Sequence, residues 1–289
     1  MQPIILENVS KSYGKVKAID KLSLQVEQGE IYGFIGPNGA GKTTTIRLLL
    51  NFIKSDEGMI SVLGMSPQSD DVQIKRQTGY VSAETFMYSD MRVKDLFSFT
   101  QDFHKMKANE RIKKLIELLD IDVNKKFDQL SFGNRKKVSI VCALLHSPKL
   151  LILDEPSNGL DPVIRKRLYD LLKEEQKKGA TIFFSSHVLS EVQSFCTRIG
   201  LLKEGKLIKE TTASEFTNVG YRQVHIDTDA MINFSNLSGV AGLKQQGSSI
   251  HFMYSGNPNE LIKLLSGINI NSIDIEEPEL ENVFMHYFN

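Results

Sequence analysis

The alternation of apolar and polar positions predicts strands at the start of the chain and alternating strands and helices after them. Residues 4–9 and 22–27 alternate as edge or antiparallel strands do. Continuous apolar runs are typical of strands buried on both faces, and four of them occur, at 31–35, 150–153, 181–184 and 199–202. Buried strands that alternate with helices favour an α/β fold with a mostly parallel sheet.

Helical spacing of apolar residues marks the intervening segments. Residues 43–52 are predicted as a helix that follows the first buried strand through a glycine-rich turn. From about 93 to 119 the apolar residues recur at helical intervals, which predicts helical structure over this stretch. We therefore expect a helical subdomain, at about 85–147, inserted between two strands of the sheet.

The character of the sequence changes near residue 218. We expect a main domain over residues 1–218 and a small α+β accessory domain over residues 219–289. The accessory domain contains no motif of recognisable chemistry, so its expected role is structural or regulatory. Its predicted strands and helices are 224–228, 249–254, 259–265 and 279–288.

Composition limits the classes of function. Lysine plus arginine and aspartate plus glutamate each number 35, so the formal net charge is zero. A nucleic-acid-binding domain is expected to carry a basic surplus, so the balance argues against that class. Cys142 and Cys196 have neither metal-ligand nor redox spacing, and we expect both to be reduced structural residues of a cytosolic protein.

Targeting signals are not recognisable in the sequence. The first residues lack a basic stretch followed by an apolar one, and no apolar run approaches the roughly 20 residues that span a bilayer. We expect a protein that is soluble by itself and that serves a membrane only through a partner.

The glycine-rich turn matches the phosphate-binding P-loop pattern, GxxxxGK followed by Thr. Glycines let successive backbone N–H groups point at phosphate oxygens, and the following helix adds its positive N-terminal end. Lys42 is expected to neutralise the β- and γ-phosphates, and the Thr43 hydroxyl to bind Mg²⁺, so ATP and Mg²⁺ are the expected cofactors. The predicted nucleotide-binding residues of the loop are Gly36, Pro37, Asn38, Gly39, Ala40, Gly41, Lys42, Thr43 and Thr44.

Two adjacent acids end the buried strand at 150–153. Asp154 is placed where a metal-holding carboxylate of a P-loop enzyme must lie, and we assign it to Mg²⁺. Glu155 can reach the γ-phosphate and polarise the attacking water, which makes it the expected catalytic base. The alternative is a pair of solvated acids that cap a strand; the P-loop in the same chain favours the catalytic interpretation.

Three further segments carry a family resemblance. Residues 130–137, LSFGNRKK, resemble the signature motif of ATP-binding-cassette (ABC) proteins, 156–161 resemble the D-loop, and 185–187 resemble the segment with the switch histidine. Together with the P-loop and the acid pair they follow the family's order and spacing over roughly residues 1–210. The chain therefore resembles the ATP-binding subunit of an ABC transporter, which implies an ATPase with a P-loop NTPase core, a mostly parallel sheet, an antiparallel β edge and an inserted helical subdomain.

The resemblance also implies how the site is completed. In this family two subunits pair head to tail, and each ATP lies between one P-loop and the signature of the other subunit. His187 is expected to contact the γ-phosphate and order the water, and Asp161 to lie at the dimer contact. Tyr13 resembles the aromatic residue that stacks on adenine, although a half-buried strand-end tyrosine is the alternative. The signature residues expected to act in trans are Ser131, Phe132, Gly133 and Asn134.

The sequence departs from the family pattern at several positions. Ala83 stands where a glutamine usually touches Mg²⁺, and the adjacent Glu84 is the candidate substitute. Phe132 replaces the second-position glycine of the signature and Asn134 replaces its glutamine. Such relaxed signatures resemble those of bacterial exporter ATPases with a separate membrane subunit. Residues 277–284 resemble the tail of ATPases from drug, lipid and peptide exporters.

The resulting hypothesis is a transport motor at the inner face of the cell membrane. ATP closes two subunits, identical or different, hydrolysis reopens them, and the helical subdomain passes the motion to a separate transmembrane permease. The stretch 86–103 is the expected docking surface, with ordinary subdomain core as the alternative. A relative that works on ribosomes or DNA is disfavoured by the single cassette, the absence of coiled-coil heptads and the neutral charge. A regulatory ATPase that is not coupled to transport stays open.

Overall fold

The structure is a computed structural model whose contacts divide the chain into two units. One unit comprises 1–187 and 195–211, and the other comprises 188–194 and 212–289. The described residues are 2–85, 87–106, 110–213, 215 and 222–276. Several predicted features lie outside them: the helix at 279–288, the exporter-like tail at 277–284, the boundary near 218 and the first residue of the expected docking stretch, Phe86.

Thirteen strands form three sheets in the described part of the chain. In chain order they are β1 (Ile4–Tyr13), β2 (Val16–Val26), β3 (Ile31–Ile35), β4 (Glu57–Val62), β5 (Thr78–Val81), β6 (Leu150–Asp154), β7 (Thr181–Ser186), β8 (Arg198–Lys203), β9 (Lys206–Thr212), β10 (Arg222–Asp227), β11 (Val240–Gln246), β12 (Ser249–Tyr254) and β13 (Ser272–Glu276).

Eight α-helices accompany the strands among the residues described. They are α1 (Lys42–Leu49), α2 (Pro67–Gln77), α3 (Val93–Phe103), α4 (Glu110–Leu119), α5 (Phe132–Leu144), α6 (Pro162–Lys177), α7 (Leu189–Phe195) and α8 (Pro258–Leu265). None of these helices combines the length and apolar character that a bilayer crossing requires.

The central sheet of the first unit has the strand order β5-β6-β7-β3-β8-β9. The four apolar runs predicted as buried strands are β3, β6, β7 and β8, and the pairs β5–β6, β6–β7, β7–β3 and β3–β8 are parallel. Every residue of β3, β6 and β7 is buried, because helices of an α/β fold cover both faces of such a sheet. The α/β prediction is confirmed.

The predicted antiparallel β edge forms a sheet of its own. Strand β1 pairs with β2 on one side and with β4 on the other, both antiparallel, so it has no side left for the central sheet. The alternation that predicted these strands is visible as burial on one face, since side chains of a strand point to opposite faces in turn. The buried residues of this face include Ile4, Leu6, Leu24, Val26 and Val62.

Helices α3, α4 and α5 lie between β5 and β6, in the segment where the helical spacing predicted helices. The pattern at 93–119 proves to be two helices, α3 and α4, and α5 follows after a 3-10 turn at Phe127–Gln129. Arg111 ties α4 to the end of α5 and to α6, because its guanidinium donates to the Leu144 carbonyl at 2.9 Å and to the Glu175 carboxylate at 2.8 Å. The helix predicted at 43–52 ends earlier, at Leu49, since Asn51 adopts a left-handed conformation with φ of 55°.

The second unit contains a four-stranded antiparallel sheet with the order β11-β12-β10-β13. The predicted strands at 224–228 and 249–254 are its two central strands, and the helix predicted at 259–265 is α8. The edge strands β11 and β13 were not predicted, and most of their residues are exposed. The core of this unit is small and includes Val224, Ile226, Ile250, Phe252 and Leu261.

Candidate nucleotide-binding site

Three neighbouring parallel strands end at the same edge of the central sheet. The register pairs Ile35 with Ser186 and Asp154 with Ser185, so the ends of β3, β6 and β7 lie side by side. The P-loop follows β3, the acid pair ends β6, and His187 follows β7. Residues far apart in the sequence are thereby brought to the carboxyl ends of the strands, which is where ligands of open α/β sheets bind.

A cavity of about 670 Å³ lies at this edge. Its lining includes the P-loop residues 37–44 together with Glu84, Glu155 and His187. Asp154 is fully buried and lies behind this lining. Predicted binding residues and predicted catalytic residues therefore share one concave surface, open to a ligand of nucleotide size.

The P-loop leads directly into the N-terminus of α1. Gly41 is the N-cap residue and has a φ of 110°, which an L side chain rarely adopts, so glycine is required there. The first-turn N–H groups of a helix have no partner within it and suit a phosphate. Lys42 is buried, with 6% of the residue exposed, and its ammonium donates to the carbonyls of Gly36 at 2.6 Å and Pro37 at 3.3 Å. Its position over the loop is the one a phosphate-neutralising cation needs.

Asp154 is held by two hydroxyl groups. Its Oδ2 accepts a hydrogen bond from Thr43 Oγ1 at 2.8 Å, and its Oδ1 accepts one from Ser185 Oγ at 2.6 Å. A hydroxyl and a carboxylate oxygen side by side suit Mg²⁺, which usually takes one or two protein ligands and completes its shell with water and phosphate. Within the described ranges no three His, Cys, Asp or Glu side chains are grouped as metal ligands. Thr43 and Asp154 therefore fit a Mg²⁺ ion that arrives with a nucleotide.

Glu155 lies between a cation and an imidazole. Its Oε1 is 3.4 Å from the Lys42 ammonium, and its Oε2 is 2.8 Å from His187 Nδ1. A carboxylate only accepts hydrogen bonds, which assigns the proton of this pair to Nδ1. The Glu155 backbone has a φ of 48°, a conformation that costs about 1–3 kcal/mol, and its N–H donates to Ser185. Strain of this kind is typical of a functional position.

The signature residues begin helix α5. Ser131 is the N-cap, and its hydroxyl accepts a hydrogen bond from the Asn134 N–H at 3.4 Å. Of the four predicted signature residues, Phe132 lines the cavity of its own chain, whereas Ser131, Gly133 and Asn134 are outside the lining. Their expected role in trans stays a prediction.

The remaining predicted residues have local contacts. Asp161 caps α6 by accepting hydrogen bonds from the N–H groups of Val163 and Ile164, both at 3.0 Å, and the bond from Ile164 is the main cause of its lowered pKa. Tyr13 lies at the end of β1 and is 47% exposed. The centre of its ring is 5.9 Å from the Lys11 ammonium, and the residue is outside the cavity lining. The adenine-stacking role of Tyr13 therefore stays a prediction as well.

Sequence reasoning missed three residues of this region. Ser185 bridges Asp154 and the Glu155 backbone, but a serine inside an apolar strand carries no distinct signal. Asn158 lines the cavity next to the acid pair. Lys136 is fully buried, and its ammonium donates to the backbone carbonyls of the loop that follows β5. Lys136 lies four residues before the apolar Ile140 and therefore on the same, inner face of α5. A lysine at such a position was the available signal in the sequence.

The fold and the site together define a P-loop NTPase. Residues 19–158 match the family model described as ABC transporter. The uncharacterized ABC transporter ATP-binding protein YhaQ of Bacillus subtilis (strain 168) is 32% identical over 98% of this chain and 97% of its own length. The bacitracin transport ATP-binding protein BcrA of Bacillus licheniformis is 31% identical over 96% of this chain and 94% of its own length.

A solved structure of an ATP-binding subunit of an ABC transporter superposes with a TM-score of 0.68 and 27% identity, covering 73% of this chain and 90% of that chain. The chain therefore belongs to the family of ABC transporter ATP-binding proteins. As a member of this family it is an ATPase, and the cavity at the sheet edge is its candidate ATP site.

Proposed function

We propose that this chain is the ATP-hydrolysing subunit of a bacterial exporter and drives a separate transmembrane permease. The observation that carries the proposal is that the P-loop, Glu155 and His187 line one cavity, with the buried Asp154 hydrogen-bonded to Thr43 of its lining. Similarity to BcrA over nearly the whole of both chains supports a role in transport. The exporter-like signature, with Phe132 and Asn134, supports the outward direction.

The residues of the site have distinct proposed roles. Lys42 and the N-terminus of α1 bind the phosphates. Thr43 and Asp154 hold Mg²⁺, which neutralises phosphate charge, and the exposed Glu84 at the cavity is a further candidate ligand. Glu155 orients the attacking water and accepts its proton, and His187 keeps the Glu155 carboxylate in place from the other side.

The working unit is a dimer in this proposal. Ser131 and Gly133 lie at the start of α5, outside the cavity of their own chain, so they are available to the γ-phosphate of a second subunit. Asp161 and its neighbours line the contact. The permease holds the pair at the cytoplasmic face of the membrane, and the accessory domain at 219–289 regulates or braces the pair.

An ATP-trapped dimer tests the composite site. Glu155→Gln keeps the size and hydrogen-bonding ability of the side chain but removes the base, so ATP is expected to bind without turnover and to hold two chains together. Size-exclusion chromatography with light scattering should show a dimer with ATP and Mg²⁺ and a monomer with ADP. The matched control is Glu155→Gln combined with Lys42→Met, which lacks the phosphate-binding cation and should stay monomeric. A Glu155→Gln chain that binds ATP yet stays monomeric would count against the homodimeric site.

A further inference from the structure

Lys136 connects the signature helix to the loop that leaves β5. Its side chain is fully buried in the second turn of α5, and its ammonium donates to the Ser82 carbonyl at 2.8 Å and to the Ala83 carbonyl at 2.6 Å. The acceptors lie 53 and 54 residues earlier in the chain. One side chain therefore joins two segments that border the nucleotide site.

Burying this charge opposes folding, so its presence needs an explanation. Burial lowers the pKa of Lys136 to about 8, while the negative charges of Asp154 and Glu155 raise it. The lysine is therefore protonated at neutral pH, and the resulting ammonium can donate to both carbonyls at once. The Phe132 ring lies 5.5 Å from the ammonium and adds a favourable cation–π contact. An apolar side chain would fill the space without the desolvation cost, but it could not donate to the loop.

The two carbonyls belong to the loop in which this chain departs from its family. Ala83 has no side-chain group for Mg²⁺ or water, and Glu84, beside it, is exposed at the cavity. Within this loop the Ser82 hydroxyl donates to the Glu84 carbonyl. That bond joins two residues of the loop to each other, so the position of the loop on the protein depends on contacts with other elements. The Lys136 ammonium supplies two such contacts, from the helix that begins with the signature.

We infer that Lys136 is a positioning residue for ATP hydrolysis: its ammonium fixes the loop after β5 to the signature helix and thereby holds Ala83 and Glu84 at the nucleotide cavity. The inference rests on the proposed hydrolysis at this cavity. A movement of the signature helix would be passed directly to the loop through these two hydrogen bonds.

Two substitutions of Lys136 separate charge from volume. Lys136→Met keeps the length and apolar stem but removes the donor, and Lys136→Arg keeps a cation with several donors. Hydrogen exchange of residues 78–85, measured on the nucleotide-free chain, should become about tenfold faster in the Met variant. Its kcat should fall about tenfold or more while KM for ATP stays within about threefold, since misplacement of groups around a reacting centre affects mainly turnover. The Arg variant should recover most of the protection and of kcat.

The control is Arg111→Met, which removes another cation that donates to a carbonyl of α5, at the far end of the helix. It should lower the free energy of unfolding but leave the exchange of 78–85 unchanged. Wild-type exchange and kcat in the Met variant would overturn the inference, and so would an Arg variant no better than Met. If the wild-type chain itself neither bound nor hydrolysed ATP, the proposed function would fail, and the exchange comparison would still decide whether Lys136 anchors the loop.

Discussion

The contact between the signature helix and the D-loop makes Gly133 a sensitive position. A β-carbon built on Gly133 would lie 2.3 Å from the Gly159 carbonyl oxygen, whereas ordinary contacts begin at 3.4 Å. Gly133→Ala must therefore separate the two backbones by about 1.1 Å, because the obstacle is a main-chain atom that cannot rotate away. The substitution moves the start of α5 relative to the loop 156–161.

Two opposing terms set the effect of Gly133→Ala on stability. Overpacking of a tight contact costs about 1–3 kcal/mol. Alanine is favoured over glycine within a helix by at most about 1 kcal/mol, and Gly133 lies in the first turn of α5. The net loss in the free energy of unfolding is therefore roughly 0–3 kcal/mol. Activity should suffer far more, since a misplacement of about 1 Å near reacting groups can cost about a hundredfold in rate.

Urea unfolding and steady-state ATPase assays measure the two effects separately. Gly267→Ala is the control, because its β-carbon meets no atom within 4 Å and its φ is compatible with alanine. The control should change the free energy of unfolding by less than about 0.5 kcal/mol and leave ATPase activity intact. A Gly133→Ala variant that is more stable than wild type and fully active would contradict this prediction, since it would mean that the two backbones separate freely.

Two further predictions concern acid stability and the permease. Burial raises the pKa of Glu175, but hydrogen bonds from Arg111 and Lys178 lower it by more, so the net pKa lies below the ordinary value of 4.5. The ionised carboxylate stabilises the fold above pH 4.5, and this contribution is lost as the pH falls through the lower pKa of the folded state. In Glu175→Gln the free energy of unfolding, measured with urea, should therefore fall less between pH 5 and pH 3 than in wild type. Phe99, 48% exposed beside Tyr88, belongs to the expected docking surface. In detergent pull-downs from native membranes, Phe99→Ser should lose the proposed permease while basal ATPase activity is kept. The control Met231→Ser, at a fully exposed residue, should keep both.

The parts of the fold that the sequence predicted are those whose determinants are local. A buried strand needs only a short apolar run, and the P-loop needs glycines at fixed offsets before Lys42, so both are legible in a few residues. The end of α1 was misplaced by three residues, because apolar spacing continued to Phe52 while the left-handed backbone of Asn51 ended the helix. The edge strands β11 and β13 were not predicted, because an exposed edge strand needs little alternation of apolar and polar residues.

The contacts that orient the site could not be predicted, since they depend on how distant segments approach one another. Ser185 acts only because the register places it opposite Asp154. Lys42 and Glu155 lie in two separate motifs, and neither motif predicts the distance of 3.4 Å between the Lys42 ammonium and the Glu155 carboxylate. In the proposed mechanism the phosphates of an incoming ATP compete with Glu155 for the Lys42 ammonium, so this pairing affects turnover. We therefore expect the carboxylate to be released toward the water only when its cation is engaged by nucleotide, which ties the base to the presence of substrate.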